Sequence, residues 1–232
     1  MTDPRYLYAV CRPWSAPLQA ELRGVAGAPA REVRHGSLVA VVSAVPARAF
    51  AGESLRAHLA DPQWYAGIVR AHEAVLSALA TVTTPLPVRP GAVFPDDSAV
   101  RVLLAADGDR LARTLDRLAG RVEWTVTVTG EPGAADDGPP PGGAPEGAVR
   151  EVHERLTALA DEWRLDPPDR HGAPPPSQGP VLLRAAYLVP RTLSEEFVET
   201  VDRYGAGRPA PTASLSGPWA PRSFTPAPYG GD

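Results

Sequence analysis

The sequence predicts an α+β fold in two parts, and three observations lead there. Short apolar or alternating runs recur at intervals: YLYAV at 6–10, LVAVVSAV at 38–45, RVEWTVTVT at 121–129 and VLLRAAYLV at 181–189. Segments with apolar residues at helical spacing fill the intervals, so strand and helix patterns alternate rather than segregate. A low-complexity stretch, GEPGAADDGPPPGGAPEG at 130–147, then divides the chain.

The elements follow in order. Residues 6–10 read as a first strand, and 15–23 as a short helix with Ser15 at its N-cap and Gly24 at its end. Residues 31–35 and 38–45 read as a hairpin about the Gly36-Ser37 turn. LVAVVSAV is apolar at nearly every position, which suits a strand covered on both faces or one facing a partner. Helices are expected at 53–59 and 61–81. The second has Asp61 as N-cap, Pro62 at its first position, and Trp64, Ile68, Val75 and Leu79 along one side.

The helix then delivers the chain into PLPVRPGAVF at 85–94, with Pro95 following. Each proline fixes φ near −65° and removes a backbone donor, so this segment cannot be a central strand paired along its whole length. It is expected to be paired in part, or to form a rigid edge, with Leu86, Val88 and Phe94 as apolar anchors and Arg89 projecting between them. Asp96 and Asp109 cap two further helical pieces, the second carrying Leu111, Leu115 and Leu118, and Gly120 stops it. In RVEWTVTVT the residues Val122, Trp124, Val126 and Val128 alternate with Glu123, Thr125, Thr127 and Thr129, the plainest strand signal in the chain.

The order through residue 129, β-α-β-β-α-β-α-β, resembles a ferredoxin-like α/β sandwich with one additional strand, in which helices cover one sheet face and leave the other open. The expected domains are therefore 1–129, a flexible linker at 130–147, a smaller α+β domain at 148–224 packed on the first, and a frayed tail at 225–232. In the smaller domain a helix is expected at 148–165 with Val152, Leu156, Leu159 and Trp163 on its apolar face. A strand at 181–189, a helix at 193–204 and an extended stretch at 213–224 complete it. In that last stretch Gly217-Pro218 is expected to turn sharply, and Trp219 to pack with Tyr187 in an aromatic clasp.

Composition bounds the function. The 232 residues include 28 prolines and 21 glycines, about a fifth of the chain and short of the ~25–30% expected of general disorder. The 44% apolar and 22% charged fractions are those of a globular protein. A net charge of −4 argues against a nucleic-acid partner. The single cysteine, Cys11, excludes an internal disulfide and suggests a reducing compartment. No apolar run approaches ~18 residues and the N-terminus lacks a signal-peptide pattern, so a soluble cytoplasmic protein without a membrane segment is expected.

Chemistry-bearing motifs are sparse. His35, His58, His72, His153 and His171 have no metal-ligand spacing among themselves or with Cys11. His72 lies on the apolar side of its helix and reads as a core or interface histidine, with a general base as the alternative. Asp136-Asp137 and Glu195-Glu196 read as solvated, and Cys11 as a buried inert thiol. Arg89 reads equally as a grip for an anion or as an exposed rung. With no phosphate loop, GxSxG or HExxH, neither cofactor nor metal is expected, and the chain reads as a binding module rather than an enzyme.

Taken together, YLYAV, the helix carrying His72 ahead of PLPVRPGAVF, VRVLL, RVEWTVTVTG, AAYLVPR and LSGPWAPRSF resemble the gas vesicle protein family GvpL/GvpF. That family shows a P-L-R-F-G-T-V-F-like run and a T-G-P-W-P-P-Y-S-F-like run at the corresponding places. Pro90 stands in place of an aromatic, Ala220 of a proline and Arg222 of a tyrosine, and the 130–147 linker replaces a charged helical segment. The resemblance implies an accessory role in gas vesicle assembly, as an early binder of the small hydrophobic shell protein beside other accessory proteins, or as a minor part of the vesicle. Tyr6, Tyr8, Val39, Val41 and Trp124 are then expected to form an apolar sheet surface for that partner, with Arg89, Trp219 and Arg222 as further contacts. The rival reading is a small-molecule or catalytic domain using Arg89 and His72.

Overall fold

The computed structural model describes residues 3–16, 22–131, 144–165, 179–205 and 211–225. These form two compact units, one comprising 1–119 with 220–232 and the other Gly120–Trp219. Residues 17–21 of the helix expected at 15–23, most of the 130–147 linker, His171 and the tail beyond 225 lie outside the described residues. At the ends of that expected helix Ser15 is not helical, and Arg23 instead bridges to Pro29.

The first unit is built on a five-stranded antiparallel sheet. Strand β1 (Arg5–Cys11) lies inside it, flanked on one side by β3 (Leu38–Ala44) and then β2 (Arg31–His35). On its other side β1 is met by two short strands from the proline-rich segment. Strand β4 (Leu86–Pro87) pairs with Val10 and Ala9, and β5 (Val93–Phe94) with Tyr6 and Arg5. Between them Val88 N–H donates to the Tyr8 carbonyl at 3.0 Å and Leu7 N–H to the Ala92 carbonyl at 2.9 Å. Partial pairing is the outcome that four prolines impose: where proline removes a donor the ladder is interrupted, and the residues between resume it.

Helices α1 (Ala47–Phe50) and α2 (Gly52–Leu59) precede α3 (Pro62–Val82), whose first turn is closed by Asp61 accepting from Gln63 and Trp64 N–H. After β5, α4 (Asp97–Ala106) is capped by Asp96, which accepts from Ala99 N–H at 2.9 Å. Helix α5 (Gly108–Leu118) follows from Asp107, not from a cap at Asp109 as the sequence suggested.

The sheet is covered on both faces. Register places Tyr6, Ala9, Cys11, Val39, Val41 and Ser43 on one side. There Ile68, Val75, Leu76 and Leu79 of α3 join Tyr6, Tyr8, Cys11 and Val41 in one apolar cluster. The opposite side presents Leu7, Val10, Ala40 and Val42, all buried, and α4 packs against β2 and β3. The open face expected from the sequence is therefore absent from this sheet.

The second unit corrects the domain boundary. Strand β6 (Arg121–Thr129) is not an additional strand of the first sheet. It pairs along its whole length with β8 (Val181–Pro190) and, on its other side, with β9 (Thr212–Trp219), giving the order β7-β8-β6-β9. Strand β7 (Glu162–Leu165) includes Trp163, which was expected on the preceding helix; α6 (Ala144–Ala158) ends earlier and the chain turns back to pair with β8. Helices α6 and α7 (Ser194–Gly205) supply Val152, Leu156, Phe197 and Val201 to a cluster with Val122, Trp124, Val126 and Val128.

Gly217-Pro218 is no turn. It sits inside β9, where two strand residues oppose one of β6 between the Ser216–Thr125 and Trp219–Glu123 pairs. At φ +137° Gly217 lies so close to β6 that a Cβ would stand 2.8 Å from Trp124 Cε3 and 2.9 Å from the Glu123 carbonyl oxygen. Tyr187 and Trp219 do not pack as a clasp, because β6 lies between their strands. After Trp219 the chain rejoins the first unit, where Ala220 and Phe224 are buried. Arg117 donates to the Phe224 carbonyl, and Arg222 pairs with Glu73 of α3 at 2.6 Å.

One ion cluster ties α4 to the sheet. Asp97, in the first turn of α4, takes Arg5 of β1 at 2.6 Å and Arg31 of β2. The Arg31 hydrogen bond, aided by Arg5, lowers the Asp97 pKa to about 2. A carboxyl depressed in the folded state stabilises above its unfolded pKa of about 4 and loses that contribution as pH falls toward 2. Denaturation curves between about pH 5 and 2 should therefore show stability falling with acid in the wild type, and a shallower fall over that window for Asp97→Asn.

Candidate functional site

The polar interior of the first unit is organised by two tyrosines of β1. A bulge between Leu7 and Ala9 lets Tyr6 and Tyr8 crowd the same cluster, with ring centroids 5.0 Å apart. Tyr6 Oη accepts from Gly91 N–H at 3.1 Å and is left with its proton to donate to His72 Nδ1 at 3.0 Å. That pair joins β1, α3 and the proline-rich segment through one hydroxyl. Tyr8 Oη accepts from Val25 N–H at 2.8 Å and donates to Ser43 Oγ at 2.9 Å, and Ser43 donates on to the Pro29 carbonyl at 3.0 Å. Gly24 passes so close that a Cβ there would stand 2.1 Å from the Tyr8 hydroxyl.

The electrostatics make these groups chemically quiet. Burial pushes both phenols up. His72 is 1% exposed, and burial, then the nearby Arg222 charge, lowers it to about 4 against a smaller opposing pull from the Val88 backbone. A histidine held neutral, bound at Nδ1 by a tyrosine, with Nε2 buried and making no hydrogen bond among the described residues, orients a core; closed to solvent, it has no route to a substrate proton. Cys11 is fully buried and its thiol is raised by burial, the environment of an inert cysteine. Among the described residues no group of three or more His, Cys, Asp or Glu side chains converges as a metal site, and no helix is long and apolar enough to cross a membrane.

The eight expected contact residues fall into distinct environments. Tyr6, Tyr8, Val39 and Val41 are 0% exposed inside the first unit, so they are not a surface in this structure. Trp124 belongs to the second unit, stacked 6.4 Å from Phe197 with its indole N–H on Ser194 Oγ at 3.4 Å. Arg89 is exposed between β4 and β5, so it does not share an enclosed pocket with His72. Arg222 is held by Glu73. Trp219 alone among the apolar candidates is at the surface, 38% exposed with its indole N–H on Ser216 Oγ at 3.2 Å.

Two features were missed in the sequence: Glu73, whose partner lies 149 residues away, and the trio Arg5, Arg31 and Asp97, which strand register and the first turn of α4 bring together. The exposed edge residues Thr212, Ser214 and Ser216 were missed as well. Their signal was visible in TASLS, an uncharged alternating run.

The chain is thus two α+β units, each built on an antiparallel sheet, and solved structures share its fold. The GvpF gas vesicle protein from Anabaena sp. PCC7120 superposes with a TM-score of 0.73 at 17% identity, covering 98% of this chain and 100% of that one. GvpF from Microcystis aeruginosa gives 0.72 at 19%, covering 96% and 99%. In sequence the chain is 44% identical to "Gas vesicle protein L" of Streptomyces sp. (strain CB03234) over 248 aligned positions, 95% of this chain and 92% of that protein. It is 26% identical to "Gas vesicle protein F" of the same strain, over 94% and 98%. The family described as "Gas vesicle synthesis protein GvpL/GvpF" matches residues 4–137 and 144–226, and the chain belongs to that family.

Two outcomes are expected from the buried network. Tyr6→Phe leaves His72 Nδ1 and Gly91 N–H without their partner and should cost about 1–3 kcal/mol in urea denaturation. Because the folded-state pKa of His72 is lowered, its contribution is present above about pH 6.5 and is lost as pH falls toward 4, so His72→Gln should flatten the stability profile there. Val41→Asp places a carboxylate in the sealed cluster and should unfold the first unit, read as loss of near-UV circular dichroism.

Proposed function

We infer that this chain is an accessory protein of gas vesicle assembly that holds the small hydrophobic shell protein during nucleation and early growth. It acts in the cytoplasm and at the forming vesicle, in company with other accessory proteins. The observation that carries this reading is the family match, which spans both structural units and not one borrowed domain. A small apolar subunit is prone to aggregate until it is incorporated, and a folded partner that covers it lowers that risk.

The first unit is read as a ferredoxin-like sandwich. Its support is the strand order β2-β3-β1-β4 with antiparallel neighbours, and the β1-β2-β3-α3-β4 sequence around it. The chain is read as non-catalytic, because the groups that a reaction would draw on, His72 and Cys11, are buried and held in their neutral forms.

The test is co-purification of the tagged chain with the shell protein encoded beside it, at about 0.1 M and 1 M salt. Capture that survives high salt is expected from an apolar or backbone-mediated contact. Capture lost in salt would move the contact to exposed arginines such as Arg89. No capture at either concentration overturns the reading.

A further inference from the structure

The second unit has two sheet edges, and they are built differently. Strand β7 is four residues long and carries Glu162 and Arg164, the short and charged form of edge that resists pairing with other chains. Strand β9 is eight residues long, TASLSGPW, with no charged residue anywhere along it. Among the described residues no strand pairs with β9 on the side away from β6. Thr212, Ser214 and Ser216 are exposed, whereas Ala213 and Leu215 turn inward to the cluster under α7.

The outward side chains form hydroxyl rungs with β6, pairing Thr125 with Ser216, Thr127 with Ser214 and Thr129 with Thr212. Thr129 and Thr212 hydroxyls meet at 3.0 Å, and Ser214 Oγ donates to the Thr127 carbonyl at 3.4 Å. These short side chains occupy one another and leave the backbone edge uncrowded. The protections natural edges use are confined to the far end, where Pro218 and the Gly217 irregularity stand.

We propose that the free edge of β9 from Thr212 to Ser216 is a strand-acceptor site, which captures the shell protein by adding one of its extended segments to the sheet. The proposal rests on the assembly-factor reading above. The edge itself selects the occupant. Main-chain N–H and C=O groups that meet no strand among the described residues call for another extended backbone. With no cation or anion along β9, a charged segment would lose solvation and find no counter-charge, so an uncharged apolar strand is the complementary partner. Contact of this kind is mostly main-chain hydrogen bonding beside an apolar neighbour, which predicts resistance to salt.

Amide hydrogen exchange of the full chain, alone and with the shell protein, tests this together with capture by the double variant Thr212→Lys/Ser214→Lys. Both altered side chains are exposed, and near-UV circular dichroism checks that the variant is folded. The expected result is added protection of the 212–216 amides in the complex, and capture by the variant weakened about tenfold or more, while Leu165→Lys on the β7 edge captures normally. Wild-type capture without protection at 212–216, or with undiminished capture by the folded double variant, overturns the β9 site and leaves the assembly-factor reading intact. Protection that grows with the concentration of the chain alone would assign the edge to a second copy and overturn the proposal. Absence of wild-type capture overturns both.

Discussion

The Tyr6 hydroxyl is the interaction on which the first unit depends. A chain with prolines at 85, 87 and 90 cannot deliver a full ladder to β1, and the main-chain groups left over at that edge must be met in another way. Tyr6 meets one of them at Gly91, and by accepting that N–H it aims its proton at His72. The helix that carries His72 is thereby fixed over β1, so that Val75, Leu76 and Leu79 can close the cluster. Tyr8 does the same on the other approach, tying Val25 and Ser43 to the strand. Two phenols thus do for an interrupted sheet what backbone pairing does for a regular one. They do so at low dielectric, where satisfied polar groups specify a single arrangement and unsatisfied ones are costly.

Much of this was legible in the residues. Asp61 before Pro62 and Asp96 before the next apolar run are cap signals whose mechanism is local, and both operate as expected. The proline segment was readable for the same reason, since φ restriction and a missing donor need no tertiary knowledge. RVEWTVTVT was legible as a strand because alternation is local, but not as a member of the second sheet, because pairing is a long-range choice that alternation does not encode. Trp163 fell seven residues after Leu156 and continued a helical stripe by position alone, yet Ala158 ends the helix and EWRL pairs with β8. The open face was the largest error. LVAVVSAV offered two readings, covered strand or partner-facing strand, and the structure buries it, with α3 on one side of the sheet and α4 on the other.

That burial changes what a partner can use. Tyr6, Tyr8, Val41 and Trp124, expected at the surface, are committed to folding, and the surface left to recognition is thinner in hydrophobic area than the sequence suggested. This burial suits the proposed handling of an aggregation-prone partner. A broad exposed apolar face would associate with itself and with other chains, whereas an edge lined by hydroxyls is compatible with water until a matching strand arrives.

The same logic accounts for the asymmetry between the two units. The first unit spends its chemistry on closure: Arg5 and Arg31 on Asp97, Arg12 on Asp116, and Arg222 on Glu73 each join segments far apart in the chain. The second unit places its apolar side chains under α6 and α7 and leaves threonine and serine on the opposite side of β6 and β9. Gly217 allows β9 to approach β6 closely enough to pack against Trp124, while the rest of the strand carries no charge. Selectivity at such an edge comes from what it lacks. Without charges for long-range steering, the proposed acceptor edge would discriminate by backbone geometry and desolvation, terms that favour an extended apolar segment over a charged one.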